Sequence, residues 1–390
     1  MKNKLSTEGT DPGLSPKRLR NADELIERYV ADGILPGAVT LVARHGKIVH
    51  LHTCGYRNIE KKLPMTEDAL FRLYSMTKII TSVAIFLLYE KGLLDLNDAV
   101  AKYIPAFSDR QVKSPDGTLV PAERDITIYD LLRHCGGLGY TGFFEDLIRQ
   151  GYTLETVAEA VSKEPLVAQP GTKWLYGVST DILARIVEII SGETFDQFLE
   201  QHIFQPLEMT DSAFYVSDEK ADRLCVGYVY GKDRKLSVYD GNGPESVFRS
   251  KPSLFSGAGG LVCSTRDYFR FASMLLNGGR LGKVDLLGRK TVELMTLDHL
   301  PKEHPNLSIG TQCFRFGLGV SVVTNVAESR CLSSLGDYGW GGMLGTQVWM
   351  NPEEEMITMI MIQVKTEVPT GIMDIYKRMV YQALISERGA

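Results

Sequence analysis

Strand-like sequence lies at the two ends of this chain and helix-like sequence fills the middle. That ordering constrains the fold more than any local pattern. Near the N-terminus, Ala38-Val39-Thr40-Leu41-Val42-Ala43 and Ile48-Val49-His50-Leu51-His52 read as strands joined by a turn at Arg44-His45-Gly46-Lys47. Near the C-terminus, residues 314–323, 345–350 and 356–362 have the same texture. The last two are separated by Pro352-Glu353-Glu354-Glu355. Between the ends, residues 126–134, 154–162, 181–190, 195–204 and 265–276 carry helical periodicity. The simplest arrangement is one antiparallel sheet built from both ends. The sequence therefore predicts an α+β fold in which residues 21–92 and 306–390 form a helix-flanked sheet domain. Residues 93–305 form an inserted, mainly helical domain, with the active cleft between the two. Residues 1–20 read as a tail, with Asn21 capping the first helix. Residues 216–256, polar and glycine-rich, read as long loops.

Composition excludes several classes of function. The net charge is -5 with acids and bases interspersed, which leaves no electrostatic footprint for nucleic acid or an anionic membrane. The longest apolar run, within 79–88, is too short to span a bilayer, and the polar N-terminus has no signal-like apolar core. A cytoplasmic protein is the expectation. The six cysteines are scattered without a Cys-x-x-Cys, as reduced, packed thiols would be. His50 and His52 share a strand face, but no third ligand stands at a recognisable spacing, so no metal or cofactor is expected.

The chemistry centres on Ser75-Met76-Thr77-Lys78, at the head of the apolar run that begins at Ile79. Helical spacing sets the Lys78 ammonium beside the Ser75 hydroxyl. A serine needs such a neighbour to act as a nucleophile near neutral pH. A helix start also offers unpaired N–H groups to an oxyanion. Ser-x-x-Lys alone recurs by chance, so its meaning depends on partners elsewhere. Tyr176 is one: it follows the turn at Pro170-Gly171, and a phenolate near a lysine ammonium can serve as a base. His134 precedes a Gly-Gly turn and reads as structural, and Asp181 reads as a helix cap.

Four stretches, taken in order, carry a family resemblance. They are Leu73-Tyr74-Ser75-Met76-Thr77-Lys78, residues 126–138 ending in His134-Cys135-Gly136-Gly137-Leu138, Pro170-Gly171 through Tyr176 to Ser191-Gly192, and residues 257–267. Over roughly residues 21–385 the chain resembles the serine β-lactamase/penicillin-binding-protein superfamily. It departs from class C β-lactamases at two places. Val178 stands where they carry the Asn of Tyr-x-Asn, and Trp340-Gly341-Gly342 stands where they carry Lys-Thr-Gly. The second departure is similar to the family VIII carboxylesterases. An indole offers an apolar wall and one N–H donor, which suits neutral esters better than anionic lactams. The resemblance implies a β-lactamase/DD-peptidase-like fold and a serine carboxylesterase that takes short-chain, small-molecule esters through an acyl-enzyme. Ser75 would be the nucleophile, with Lys78 and Tyr176 as proton-handling partners. The backbone N–H groups of Ser75 and Met343 would form the oxyanion hole. Trp340, Gly341 and Gly342 would line the substrate, together with the aromatics Tyr140, Phe143 and Phe144. A β-lactamase or D-amino-peptide hydrolase is the alternative within this chemistry, and an inactive binding module is the alternative outside it.

Overall fold

The computed structural model describes residues 13–139, 144–309 and 312–385. Its centre is a nine-stranded sheet. In spatial order the strands are Leu307–Ile309, Gln312–Phe316, Ser321–Val322, Tyr338–Gly341, Gln347–Asn351, Met356–Met361, β1 (Gly37–Arg44), β2 (Lys47–Asn58) and β3 (Leu63–Pro64). Every pairing in it is antiparallel. The two chain ends meet where β1 lies against Met356–Met361, with Val39 opposite Met361 and Arg44 opposite Met356.

Both of these central strands are buried along their whole length. Strand residues alternate between faces, so one sheet feeds two cores. Val39, Leu41, Met359 and Met361 join the core that includes α2 (Thr77–Glu90) and the helix Thr265–Leu276. Ala38, Val42, Met356 and Ile360 join the core made with α1 (Pro16–Ala31) and the helix Ile372–Tyr381. The helical region between the chain ends packs on α2 mainly through Ser179–Ser191, which ends at Gly192 in the left-handed conformation. Among the described residues, no helix is long and apolar enough to cross a membrane.

Two expectations need correcting. The first helix starts at Pro16 rather than after Asn21, so residues 13–20 are not a tail. Ser15 is the cap, its hydroxyl accepting from the Arg18 N–H at 3.3 Å, and proline follows at the first helical position. Leu14 and Leu19 are buried, and the Ser15 N–H donates to the Ala383 carbonyl. Residues 216–256 are also not simply loops. Gly227–Tyr230 and Leu236–Asp240 form a hairpin, and Val364–Thr366 adds to it in parallel as a third strand. Tyr228 and Tyr230 are β-forming, buried side chains that the glycine-rich surroundings mask in the sequence.

Candidate active site

Ser75 lies in a short 3-10 turn, Tyr74–Met76, that feeds directly into α2. Backbone pairing fixes this segment. Leu70–Arg72 pairs with Val262–Ser264, and the Leu73 N–H donates to the Leu261 carbonyl at 2.8 Å. Tyr74 has φ of +46°, an uncommon conformation for a bulky side chain. It turns the chain sharply just before Ser75. Lys78, one turn into the helical segment, is 3 % exposed. Its Nζ donates to the Ser75 Oγ at 3.2 Å and to the Ala258 carbonyl at 2.7 Å.

The backbone of Ala258 is held in turn by Asp181. The Ser256 hydroxyl and the Ala258 N–H both donate to Asp181 Oδ1, at 2.8 and 3.0 Å. Asp181 thus organises the Ser256–Ala258 backbone and is not the expected cap. The N-cap position of its helix is Val178, and Asp181 lies in the first turn. Burial pushes the Asp181 carboxyl up from the usual range, against the pull of Ser256 and of the Lys78 charge. The sequence offered no signal for this link, because Asp181, Ser256 and Ala258 meet only through the fold.

Tyr176 is placed by the ties between its segment and the loop after His134. The Leu175 N–H donates to the His134 carbonyl and the Gly171 N–H to the Cys135 carbonyl, at 2.8 and 2.7 Å. Its hydroxyl accepts from Trp340 Nε1 at 3.0 Å, and Lys78 Nζ stands 4.7 Å from its ring centroid. Burial raises the phenol to about 12, while hydrogen bonds with Ser75 and Trp340 favour the phenolate. Below that range the resting phenol keeps its proton. The ring sits in an aromatic cage, stacked on Trp174 at 5.6 Å and tilted against His134 at 4.8 Å. His134 is buried with φ of +57°. Burial and the Lys78 charge hold its pKa down at about 3, so it is a neutral packing element near neutral pH.

Trp340, in the strand Tyr338–Gly341, packs edge-on against Phe314 and Phe316 at 5.7 and 5.2 Å. The turn after it closes over the Ser75 segment. The Thr346 hydroxyl donates to the Leu73 carbonyl at 3.1 Å, and the Gly342 N–H donates to the Thr346 carbonyl at 2.7 Å. A Cβ at Gly342 would lie 2.2 Å from the Leu73 carbonyl oxygen, so only glycine allows this approach. Met343 follows and packs at the edge of an apolar cluster that contains Tyr74. The structure therefore brings Ser75, Lys78, Tyr176 and Trp340 together, with Gly341, Gly342 and Met343 beside them. Tyr140 and Phe143 lie outside the described residues, as does the side chain of Phe144. Thr346, Trp174 and Phe316 also belong to the site, although nothing in their sequence context marks them.

Among the described residues, no group of three or more His, Cys, Asp and Glu side chains is placed to hold a metal ion. His50 is paired with Asp23 at 2.8 Å and His52 with Glu27 at 3.3 Å. None of the six cysteines is in a disulfide among the described residues.

Residues 22–382 match the family Beta-lactamase. Protein Rv1367c of Mycobacterium tuberculosis is 34% identical over 355 residues, which cover 86% of this chain and 88% of that one. Esterase EstB of Burkholderia gladioli is 28% identical over 351 residues, covering 83% and 84%. Among solved structures, EstCE1, a hydrolase with promiscuous acyltransferase activity, aligns with a TM-score of 0.79 over 95% of this chain and 98% of its own, at 24% identity. At that identity the likeness speaks to the fold. With a serine, a lysine and a tyrosine brought together at one place and a match spanning nearly the whole chain, the protein belongs to the beta-lactamase family and is a serine hydrolase of the serine β-lactamase/penicillin-binding-protein superfamily.

Proposed function

We propose that this protein is a serine carboxylesterase that hydrolyses short-chain esters through an acyl-enzyme on Ser75. The observation that carries the reading is the contact of Trp340 Nε1 with the Tyr176 hydroxyl at 3.0 Å. The strand edge beside the tyrosine presents a neutral indole where a lactam-directed site would place a cation. Such a wall accepts an uncharged ester and gives no counter-ion to a lactam carboxylate. The similarity to an esterase over most of both chains supports the same reading.

In this reaction Ser75 Oγ attacks the ester carbonyl carbon and gives up its proton to the Lys78–Tyr176 pair, the reactive form of the enzyme being the one in which that pair has already lost one proton to solvent. The backbone N–H groups of Ser75 and Met343 receive the oxyanion. The tetrahedral intermediate collapses, the C–O bond to the alcohol breaks, and the pair returns the proton to the departing alkoxide. Tyr176, a phenol at rest, is the member suited to deliver it. Water then attacks the acyl-enzyme by the same route in reverse and releases the acid. No cofactor enters the balance.

The test is intact-mass labelling with an ester-like phosphonate, the adduct then mapped, alongside hydrolysis of p-nitrophenyl butyrate. The adduct should fall on Ser75. Ser75→Ala should lose both the burst and at least about three orders of magnitude in turnover, the scale on which nucleophile removal acts. An adduct on another serine, or most of the activity surviving in Ser75→Ala, would overturn the reading. Hydrolysis of a chromogenic cephalosporin at a comparable rate would favour a β-lactamase instead.

A further inference from the structure

The residue whose carbonyl seats Lys78 belongs to a turn clamped between two helices. On the α2 side, the Thr81 hydroxyl donates to the Gly257 carbonyl at 2.7 Å, and the Leu261 N–H donates to the Thr77 hydroxyl at 3.3 Å. On the side of Ser179–Ser191 the approach is closer still. A Cβ on Gly257 would lie 2.8 Å from the Thr180 carbonyl oxygen and 2.7 Å from the Ala184 Cβ. Asp181 stands between those two positions of the helix and is 5 % exposed. Its Oδ1 accepts from the Ser256 hydroxyl at 2.8 Å and from the Ala258 N–H at 3.0 Å. The Ala258 carbonyl accepts from Lys78 Nζ at 2.7 Å, and the same Nζ reaches Ser75 Oγ at 3.2 Å. A chain of hydrogen bonds thus runs from Asp181 through a single residue, Ala258, to Lys78 and Ser75.

Charge links the same groups. Lys78 faces the Tyr176 ring at 4.7 Å, and its charge is felt at His134 and at Asp181. His134 is neutral near neutral pH and Tyr176 is a phenol at rest, so Asp181 is the acid of the three. Burial works against its charge. The Ser256 hydroxyl, the Lys78 ammonium and the backbone N–H groups of Ala258 and Gly257 work for it. In return, a carboxylate near an ammonium favours the protonated lysine.

We propose that Asp181 is a positioning residue for the reaction at Ser75, holding the backbone that seats Lys78 and supplying that lysine with a counter-charge. This rests on the reaction proposed above and adds to it the residue that sets how readily the Lys78–Tyr176 pair gives up its proton.

Asp181→Asn separates charge from position, because the amide keeps an oxygen for Ser256 and Ala258 and drops the charge. Without the carboxylate the pair loses its proton more readily. The acid limb of kcat/KM against pH, measured with p-nitrophenyl butyrate, should therefore move down by about half a unit or more. Asp181→Ala removes the hydrogen bonds as well. Its rate of phosphonate labelling at Ser75 should fall about thirtyfold or more at neutral pH, within the range that misplaced reacting groups cost. Asp181→Asn is nearly isosteric and carries the test by itself if Asp181→Ala does not fold. A residue that only supports the fold would leave the pH profile where it is. A natively melting Asp181→Asn with the wild-type acid limb would overturn the proposal and leave the chemistry at Ser75 standing. So would a folded Asp181→Ala that labels at the wild-type rate. A wild type that neither hydrolyses the ester nor is labelled at Ser75 would bring down the reaction proposed above, and the role of Asp181 with it.

Discussion

At the scale of single residues, the candidate site stands out in the sequence wherever the proposed role demands one type of side chain. A nucleophile needs a hydroxyl, its neighbour a cation or base, and the wall beside them a donor. Ser75, Lys78, Tyr176 and Trp340 stand out in the sequence for that reason. Asp181 and His134 did not, because their parts depend on what surrounds them. Asp181 holds Ser256 and Ala258, and His134 packs against the Tyr176 ring. The Trp340–Tyr176 contact can be tested at this scale. Trp340→Phe keeps an apolar ring against Phe314 and Phe316 but removes the Nε1–H that favours the phenolate. The Tyr176 pKa should then rise. With one hydrogen bond to the reacting group lost, kcat/KM should fall about tenfold, roughly 1.4 kcal/mol. The alkaline limb of the pH–rate profile should move upward if it reports this phenol. An unchanged rate and profile would mean that the indole is wall only.

Among the elements, legibility followed the strength of local signals. The helix Thr265–Leu276 has the predicted bounds, and the Ser264 hydroxyl caps it by accepting from the Asp267 N–H at 3.2 Å. The long apolar runs of β1 and Met356–Met361 were equally clear. The start of α1 was missed because Ser15-Pro16 lies in a stretch of mostly polar sequence. The Gly227–Tyr230 hairpin was missed because its third strand, Val364–Thr366, lies far away in sequence. A contact between elements likewise escapes sequence reading at Gly342, where the sheet edge is seated on the turn that carries Ser75. Gly342→Ala would drive a methyl group to 2.2 Å from the Leu73 carbonyl oxygen and 2.4 Å from Thr346 Oγ1. Relief requires the strand end or the Ser75 turn to move, at about 1–3 kcal/mol. We expect kcat to fall tenfold or more while far-UV circular dichroism stays native. Wild-type kcat in a correctly folded Gly342→Ala would show that the two elements tolerate separation.

At the scale of the molecule, the fold class was legible because only one sheet can join strands from both chain ends. Less legible was how the terminal helices lock that sheet. α1 is tied to the C-terminal segment by the Ser15 N–H to the Ala383 carbonyl and by Arg18 Nη1 to the Gln382 carbonyl, both at 2.8 Å. The helix Ile372–Tyr381 is anchored to the sheet by a buried ion pair. Lys377 Nζ lies 3.3 Å from Asp337 Oδ2, each side chain is 1 % exposed, and the Tyr381 hydroxyl donates to the same oxygen at 2.8 Å. Asp337 stands immediately before the strand that carries Trp340, so the lock reaches the strand that borders the candidate active site. Removing one partner of a buried pair strands the other, at about 3–5 kcal/mol. Lys377→Met should therefore lower the melting temperature at pH 7 by several degrees. Burial already raises the Asp337 carboxyl above its ordinary range, and Lys377 opposes that rise. Without the lysine the folded pKa climbs further above the unfolded value. The folded variant then binds the proton more tightly than the unfolded chain does, and its stability falls as pH rises through that window. The deficit relative to wild type should be largest at neutral and higher pH and should shrink as acid protonates Asp337. Urea titrations at pH 5 and pH 8 read this directly. An equal deficit at both would mean that Asp337 is not the group left unpaired.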